Sequence, residues 1–500
     1  MTKELKKILE LITDYKIIGD CEKIITGIEQ DSRKVVAGTL FVCMNGAKVD
    51  GHDFAIQAIE KGANTILAEK EISVPPHITL IVVSDVRETI KIIVPYFYDY
   101  PGTKMRIIGI TGTNGKTTTS YLTKNILQKA GYKVGVIGTI QIMIENEILP
   151  INNTTPDVIE LQQILYKMYD AKIDYVVMEI SSHALELERI ICCEIDVAAF
   201  TNLTQDHLDF HKTIENYTAA KAKLFKLLNN NSNVKSGKSA VVNVDDKAGI
   251  SMLAATSDDC NIITYGINNV ASLKAENVQV LAKGASFEIK GLTNINLTLK
   301  ITGIFNVYNV LAAVGIALAE KVEAMVIKEA LEEANCVAGR FELVDEGQDF
   351  SVIVDYAHTP DGLENILKTA REITTQRIIT VFGCGGDRDR TKRPIMGKIA
   401  TELSDIVIAT SDNPRTEDPE FILSEIEAGI LPVLGAKSYE KITERYEAIK
   451  KAIKLAQKDD IVIIAGKGHE NYQILKNETI HFDDRETAGE LLREINNVNI

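Results

Sequence analysis

The 500-residue chain has no tryptophan, and aromatic residues make up only 6% of it. Too few flat rings are present to build a base-stacking platform for single-stranded nucleic acid. Long apolar runs are missing as well: no segment reaches the roughly 18 uninterrupted apolar residues of a membrane-spanning helix. The opening Met-Thr-Lys-Glu-Leu-Lys-Lys lacks the apolar core of a signal peptide. A cytoplasmic location is therefore expected, with no membrane partner. The seven cysteines (21, 43, 192, 193, 260, 336 and 384) contain no C-x-x-C pair. That argues against a zinc knuckle or a disulfide framework and favours reduced structural thiols. Positive charge is in deficit: 55 Lys and Arg against 70 Asp and Glu leave −15. A broad basic surface for nucleic acid is excluded, although a local basic pocket is not.

What is present is an ordinary globular composition, 45% hydrophobic and 25% charged, which sets aside disorder, collagen and coiled coil. At roughly 150 residues per domain, the length suggests about three domains. The first is expected over residues 1–102, a smaller α/β unit ending at Pro101-Gly102. Residues 103–336 alternate apolar runs (105–110, 134–137, 175–180, 197–200) with helical stretches at 120–130 and 157–171. Gly131 would stop the first of these helices, and Pro156 would sit in the first turn of the second. That order predicts a mostly parallel sheet of P-loop type with helices on both faces. Residues 337–500 repeat it, with strands at 352–354, 377–382, 405–409 and 460–464, as a Rossmann-like α/β domain. The polar stretch 229–238 reads as a surface loop.

The sharpest local signal is the apolar run into Gly112-Thr113-Asn114-Gly115-Lys116-Thr117-Thr118. Glycines let backbone N–H groups wrap phosphate oxygens, and the helix that follows adds its positive end. Lys116 can reach the β- and γ-phosphates and Thr117 can offer its hydroxyl to Mg²⁺. The strict Walker spacing is not met, because Ile110 occupies the place of its first glycine. Glu179 ends the apolar run 175–180, on the edge where open α/β sheets bind ligands, and is a candidate metal ligand. A third strand exit carries Thr201, Asn202, Thr204, Asp206, His207, Asp209 and His211, a concentration of metal-binding and acid–base groups.

In order along the chain, these segments resemble the Mur ligases, the ATP-dependent amide-forming enzymes of peptidoglycan assembly. The resemblance rests on Gly112–Thr118, Glu179-Ile180-Ser181-Ser182-His183, Thr201–Asp209, Ala219-Ala220-Lys221 and Gly303…Asn306…Asn309. It continues through Gly339-Arg340-Phe341-Glu342, Asp355-Tyr356-Ala357-His358-Thr359-Pro360 and Gly466-Lys467-Gly468-His469-Glu470. Asp31-Ser32-Arg33, Asn153–Asp157 and Asp412-Asn413-Pro414-Arg415 are similar to the branch that extends UDP-N-acetylmuramoyl-L-alanyl-D-glutamate by its third residue, and the last tetrad to members that add meso-diaminopimelate.

The resemblance implies ATP and Mg²⁺ as cofactors, small-molecule substrates and an acyl-phosphate mechanism; a monomer is expected. It assigns Lys116, Glu179, His207, Lys221 and His358 to catalysis, with metal at Thr117, Glu179, His207 and a carbamylated Lys221. Gly112 to Thr118, with Asn306, Asn309, Arg340 and Asp355, would hold ATP. Ser32, Asn153, Thr154, Thr155, Ser181 and Arg189 would hold the UDP-substrate; Leu187 stands where some relatives carry a Gln contact. Arg388, Asp412, Asn413, Pro414, Arg415, Gly466 and Glu470 would form the amino-acid pocket. An arginine there grips the far carboxylate of diaminopimelate with paired hydrogen bonds and repels the ammonium of lysine. A lysine-adding version, folylpolyglutamate synthase and a P-loop switch remain as rivals.

Overall fold

The computed structural model describes the chain except for residues 47–48, 146, 152, 230–233, 282–283 and 499–500. Three large sheets, with two small two-stranded ones, organise the described residues. The central one has eleven strands, and its middle shows why the apolar runs are continuous. Along Arg106–Thr111, Tyr175–Glu179 and Val197–Phe200, successive side chains point to opposite faces, and both faces are buried. Ile108, Ile110, Val177 and Ala199 pack with the helices Lys116–Lys129 and Ile304–Ala319. Ile107, Val176, Met178, Ala198 and Phe200 pack on the other face with Val158–Asp170 and Ile214–Lys226.

Parallel pairing fixes the register that matters for function. Glu179 lies opposite Ile110, and Phe200 opposite Thr111. The carboxyl ends of the three strands therefore stand side by side, and the loops that follow share one edge.

The sheet departs from the simple alternation expected at both ends. Leu273–Leu281, Gly284–Gly291 and Ile295–Leu299 form an antiparallel ribbon, and Ile142–Ile144 with Glu147–Leu149 form another. In Ile295–Leu299 burial alternates strictly, because helices cover one face only. The helix expected at 120–130 begins at Lys116, since Gly115 already turns the chain into its first turn. The helix expected from 157 begins at Val158: Asp157 is its cap, accepting from Glu160 N at 3.2 Å, and Pro156 precedes the cap instead of entering the first turn.

A five-stranded sheet lies before residue 102, ordered Lys16–Ile18, Thr79–Val82, Thr65–Ala68, Thr39–Val42, Gly27–Glu29, parallel except for the first pair. Its core also takes in Val158 and Ile159 of the central helix. The third sheet, six strands from Glu342–Val344 to Ser438–Lys441, is likewise parallel except for one edge pair. The fold is α/β throughout. No helix among the described residues is long and apolar enough to cross a membrane. Of the polar stretch 229–238, residues 230–233 lie outside the described residues.

Candidate active site

The glycine-rich loop is shaped by close packing. Gly112 (φ +151°) and Gly115 (φ +85°) hold backbone angles that a side chain resists, and a Cβ would collide with Thr201 Oγ1 at the first and Asn309 Oδ1 at the second. Lys116 folds back to donate to the carbonyls of Gly112 (2.9 Å) and Thr113 (2.8 Å). Thr113 shares a hydrogen bond with the Tyr217 hydroxyl at 3.2 Å. Asn114 N donates to Asn202 Oδ1 at 2.9 Å, and Thr118 is buried in the first helical turn.

Glu179 is completely buried at the strand end. Its carboxylate accepts from Thr117 Oγ1 at 2.9 Å and from Thr139 N and Oγ1 at 3.1 and 3.0 Å. The hard-oxygen pair Thr117 and Glu179 is thus already assembled beside the phosphate loop. Lys221 is also buried, donating to Gly112 O at 2.8 Å with its amine 4.5 Å above the Tyr217 ring. Burial, and then the nearby Lys116 charge, hold the Lys221 amine well below its ordinary value. Burial lowers Lys116 as well. His207 packs edge-on to His183, with ring centres 4.7 Å apart. Loss of solvent in the cleft, reinforced by His183, Lys116 and Lys221, holds its imidazole down at about 4. Of Asp209 only the backbone is described.

Other expected groups meet this edge from two sides. Thr154 Oγ1 lies 3.2 Å from Thr139 Oγ1, and Asn153 is exposed nearby. Thr155 is fully buried, so it supports the site from behind: it donates to Glu179 O (2.9 Å), accepts from Ser181 N (3.0 Å), and its carbonyl takes Arg189 Nη1 (3.1 Å). The Ser181 hydroxyl caps the helix Ser182–Glu186. Ser32 stays with the first sheet, donating to Gln57 Oε1 at 2.6 Å.

From the third sheet come Arg340, whose Nη2 donates to Thr117 Oγ1 at 3.1 Å, and Asp361, which accepts from Asn114 Nδ2 at 2.6 Å and Thr204 Oγ1 at 3.1 Å. Asn309 donates to Asn306 Oδ1 at 3.0 Å against the loop. Asp355 accepts from the N–H groups of Phe341 (2.6 Å) and Ala357 (2.7 Å), yet burial raises its carboxyl to about 6. His358 lies 4.6 Å from the Tyr356 ring and within electrostatic reach of Asp206.

The remaining candidates gather at the carboxyl ends of the third sheet. Asn413 Nδ2 donates to Glu470 Oε2 at 2.8 Å, and the buried Lys467 donates to Asn413 Oδ1 at 3.1 Å. Arg415, in a left-handed backbone (φ +53°), donates from Nη1 to Gly386 O at 2.8 Å; the Pro414 carbonyl sits against Gly386. Gly466 runs beside Asp412, and Arg388 is exposed on the facing loop. The motifs did not single out Thr139, Tyr217 or Asp361, and Lys467 lay inside the Gly466–Glu470 motif without an expected role. Only Tyr217 carried a readable signal, its i, i+4 spacing to Lys221 on one helix. Asn114 and Asp361 are 247 residues apart in sequence.

A phosphate loop on the carboxyl edge of a parallel sheet, facing a second α/β unit with its own polar pocket, defines an enzyme that couples nucleotide phosphate to a second substrate. Residues 110–317 match the Mur ligase middle domain, 339–468 the Mur ligase glutamate ligase domain, and 24–98 the Mur ligase family catalytic domain. The chain belongs to the Mur ligase family and is an ATP-dependent ligase. Among its relatives, the UDP-N-acetylmuramoyl-L-alanyl-D-glutamate–2,6-diaminopimelate ligase of Clostridium botulinum (strain ATCC 19397 / Type A) is 48% identical over 96% of this chain and 98% of its own length. The Bacillus cereus (strain ATCC 14579) ligase of the same name is 47% identical over 98% of each. A solved structure of a ligase of that name superposes with a TM-score of 0.68 at 32% identity, covering 99% of this chain and all of its own. MurF from Thermotoga maritima in complex with ADP shares the fold at a TM-score of 0.64 and 18% identity, over 95% and 98% of the two chains.

Proposed function

We propose that this ligase joins meso-diaminopimelate to the D-glutamate γ-carboxylate of UDP-N-acetylmuramoyl-L-alanyl-D-glutamate, with ATP cleaved to ADP and phosphate. The observation that carries the choice of amino acid is the Arg415 guanidinium, backed by Gly386 O and set two residues after Asn413, which bonds Glu470. It offers a cation to the distal carboxylate, while Glu470 and Asp412 offer anions to an ammonium.

A carboxylate is a poor acyl donor, so an oxygen of the glutamate side chain first takes the γ-phosphoryl group. The amine then attacks the acyl carbon, loses a proton, and expels phosphate as the amide forms. The chain's work in both steps is positioning and charge neutralisation. Lys116 leaves its two carbonyl partners for the β- and γ-phosphates. Arg340 and His358 close over the phosphates from the third sheet, while Asn306, Asn309 and Asp355 hold adenine and ribose. Ser32, Asn153, Thr154, Ser181 and Arg189 hold the UDP-substrate, with Thr155 fixing the Ser181 backbone and the Arg189 guanidinium.

The donors fit Mg²⁺: Thr117 and Glu179 supply hard oxygens 2.9 Å apart, with His207 and Lys221 nearby for a second ion. When bound, Mg²⁺ would neutralise the phosphate oxygens. An ammonium at Lys221 would repel a cation, but burial makes its amine easier to deprotonate, and a free amine can add CO₂ and become an anionic carbamate. We divide the chain at 102 and 336 into UDP-substrate, ATP and amino-acid domains, acting as a cytoplasmic monomer. Phosphate release measured over the UDP-substrate with diaminopimelate or lysine tests the reading. A preference for lysine, or unimpaired diaminopimelate use by Arg415→Ala, overturns the specificity argument.

A further inference from the structure

Behind the amino-acid pocket lies an ion pair that the reaction above leaves unused. Arg445 opens the helix Arg445–Leu455 and Asp484 opens the helix Asp484–Val498, and both side chains are completely buried. The contact is two-pronged, Nε to Oδ1 and Nη2 to Oδ2 at 2.7 Å each, and Nη2 also donates to Ala465 O at 3.0 Å. Nη1 is buried without a hydrogen-bond partner. Stability alone does not account for such a pair. Apolar residues of similar volume serve a core equally well, and an unmet buried donor is a cost.

Its location supplies a reason. Ala465 ends the strand Ile461–Ala465, and the next residue, Gly466, leaves its side-chain space to the pocket. A Cβ there would lie 2.5 Å from Asp412 Oδ2 and 3.9 Å from Arg445 Nη2. Arg445 Nη2 and Asp412 Oδ2 therefore border the same space, the one Gly466 leaves open, while the hydrogen bonds of Arg445 go to Asp484 and Ala465 O. Burial by itself would raise the Asp412 carboxyl, but Lys467 and then Arg445 pull it below its ordinary value, with a smaller contribution from His358. Glu470 is the anion facing the same space, and Asp484 balances Arg445 from the rear. Lys467 is tied by hydrogen bonds to Asn413 and the Tyr472 carbonyl, which leaves Arg445 as the cation whose orientation is set independently of the pocket loop.

We propose that Arg445, anchored by Asp484, is a positioning residue for the second substrate: its fixed positive charge across the Gly466 space from Asp412 keeps that carboxylate negative for the ammonium of the incoming amino acid. The inference rests on reading the Asp412–Arg415 and Glu470 pocket as the amino-acid site.

The test replaces both buried charges together, Arg445→Met with Asp484→Leu, so that neither is left unpaired, and compares Arg445→Lys, Asp484→Asn and Asp412→Asn. The full-length enzyme is assayed for the KM of each of its three substrates and for the pH profile of kcat/KM toward diaminopimelate. We expect the double variant to raise the diaminopimelate KM about tenfold while the other two KM values stay within about twofold. The acid limb of the profile moves to higher pH, because Asp412 has lost a cation. Arg445→Lys, which keeps the charge, recovers most of the loss. Should the double variant fail to fold, Arg445→Lys and Asp484→Asn are expected to show the same selective pattern at smaller amplitude. Equal changes in all three KM values, or an unmoved acid limb, overturn the proposal if Asp412→Asn still raises the diaminopimelate KM. If Asp412→Asn leaves that KM unchanged, the pocket reading itself fails.

Discussion

The phosphate loop and the amino-acid pocket solve recognition differently. Seven consecutive residues, 112–118, make the loop, and its cations rest on its own carbonyls, with Lys116 and Lys221 both donating to Gly112 O. The pocket is assembled from loops near residues 386, 413 and 470, which meet through side-chain bonds such as Asn413 to Glu470 and Arg415 to Gly386 O, together with the backbone bond from Gly386 N to Asn413 O. Phosphate is recognised mainly by backbone N–H groups, so its site is built into the chain path. An amino acid is recognised by charge at several separated points, so its site depends on side chains brought from different strands. The loop should therefore resist substitution and govern turnover, whereas the pocket should tolerate substitution and govern which amine is used.

The hardest test of that division is Lys116→Ala, which should lower kcat in a phosphate-release assay by at least about a thousandfold. A loss of less than about tenfold would remove the distinction between the two sites. Arg415→Ala should cut kcat/KM for diaminopimelate by about 10- to 100-fold, the equivalent of one or two charge-assisted hydrogen bonds, and leave the ATP KM nearly unchanged. Gly115→Ala tests whether backbone shape carries phosphate recognition. Its positive φ and the collision with Asn309 should introduce about 1–3 kcal/mol of local strain, seen as a higher ATP KM with diaminopimelate KM preserved.

The smallest effect concerns Asp355, at the joint between the two sites. Its carboxyl is raised to about 6 by burial, so the folded state holds the proton more tightly than the unfolded chain does. That contribution is fully present below the ordinary carboxylate value and is lost as pH rises through about 6. Asp355→Asn should therefore gain on the parent by a few degrees in melting temperature between acid and neutral pH. A constant gap across that range would remove the group from the joint's energetics.

Much of the architecture was readable in local pattern. The runs ending at Thr111, Glu179 and Phe200 are strands because both faces need apolar cover, and Gly131 (φ +93°) stops its helix. The ribbon at 273–299 was harder to read, since antiparallel pairing shows only in alternation along one face. Pro156 and Asp157 both signal a helix start, and the side-chain cap decided between them. In the site, Glu179 and the 201–211 cluster were legible as strand exits. Thr155 was expected among the UDP-substrate contacts; it is fully buried, with its hydroxyl bonded to Glu179 O and Ser181 N. Asp361, Lys467 and the Arg445–Asp484 pair matter through partners distant in sequence, and no local pattern encodes such partners.

By itself the order of amino acids determined the strands, the phosphate loop, the family and the kind of chemistry, because these depend on backbone preference and on side chains close together in the chain. The tertiary structure alone decided which charges count. A chain with a net charge of −15 buries Lys221, Lys467 and Arg445, and half-buries Lys116, at the edges of two sheets. Away from water a charge acts far more strongly on its neighbours than at the surface, so depth and partner, which composition does not contain, set what each cation does.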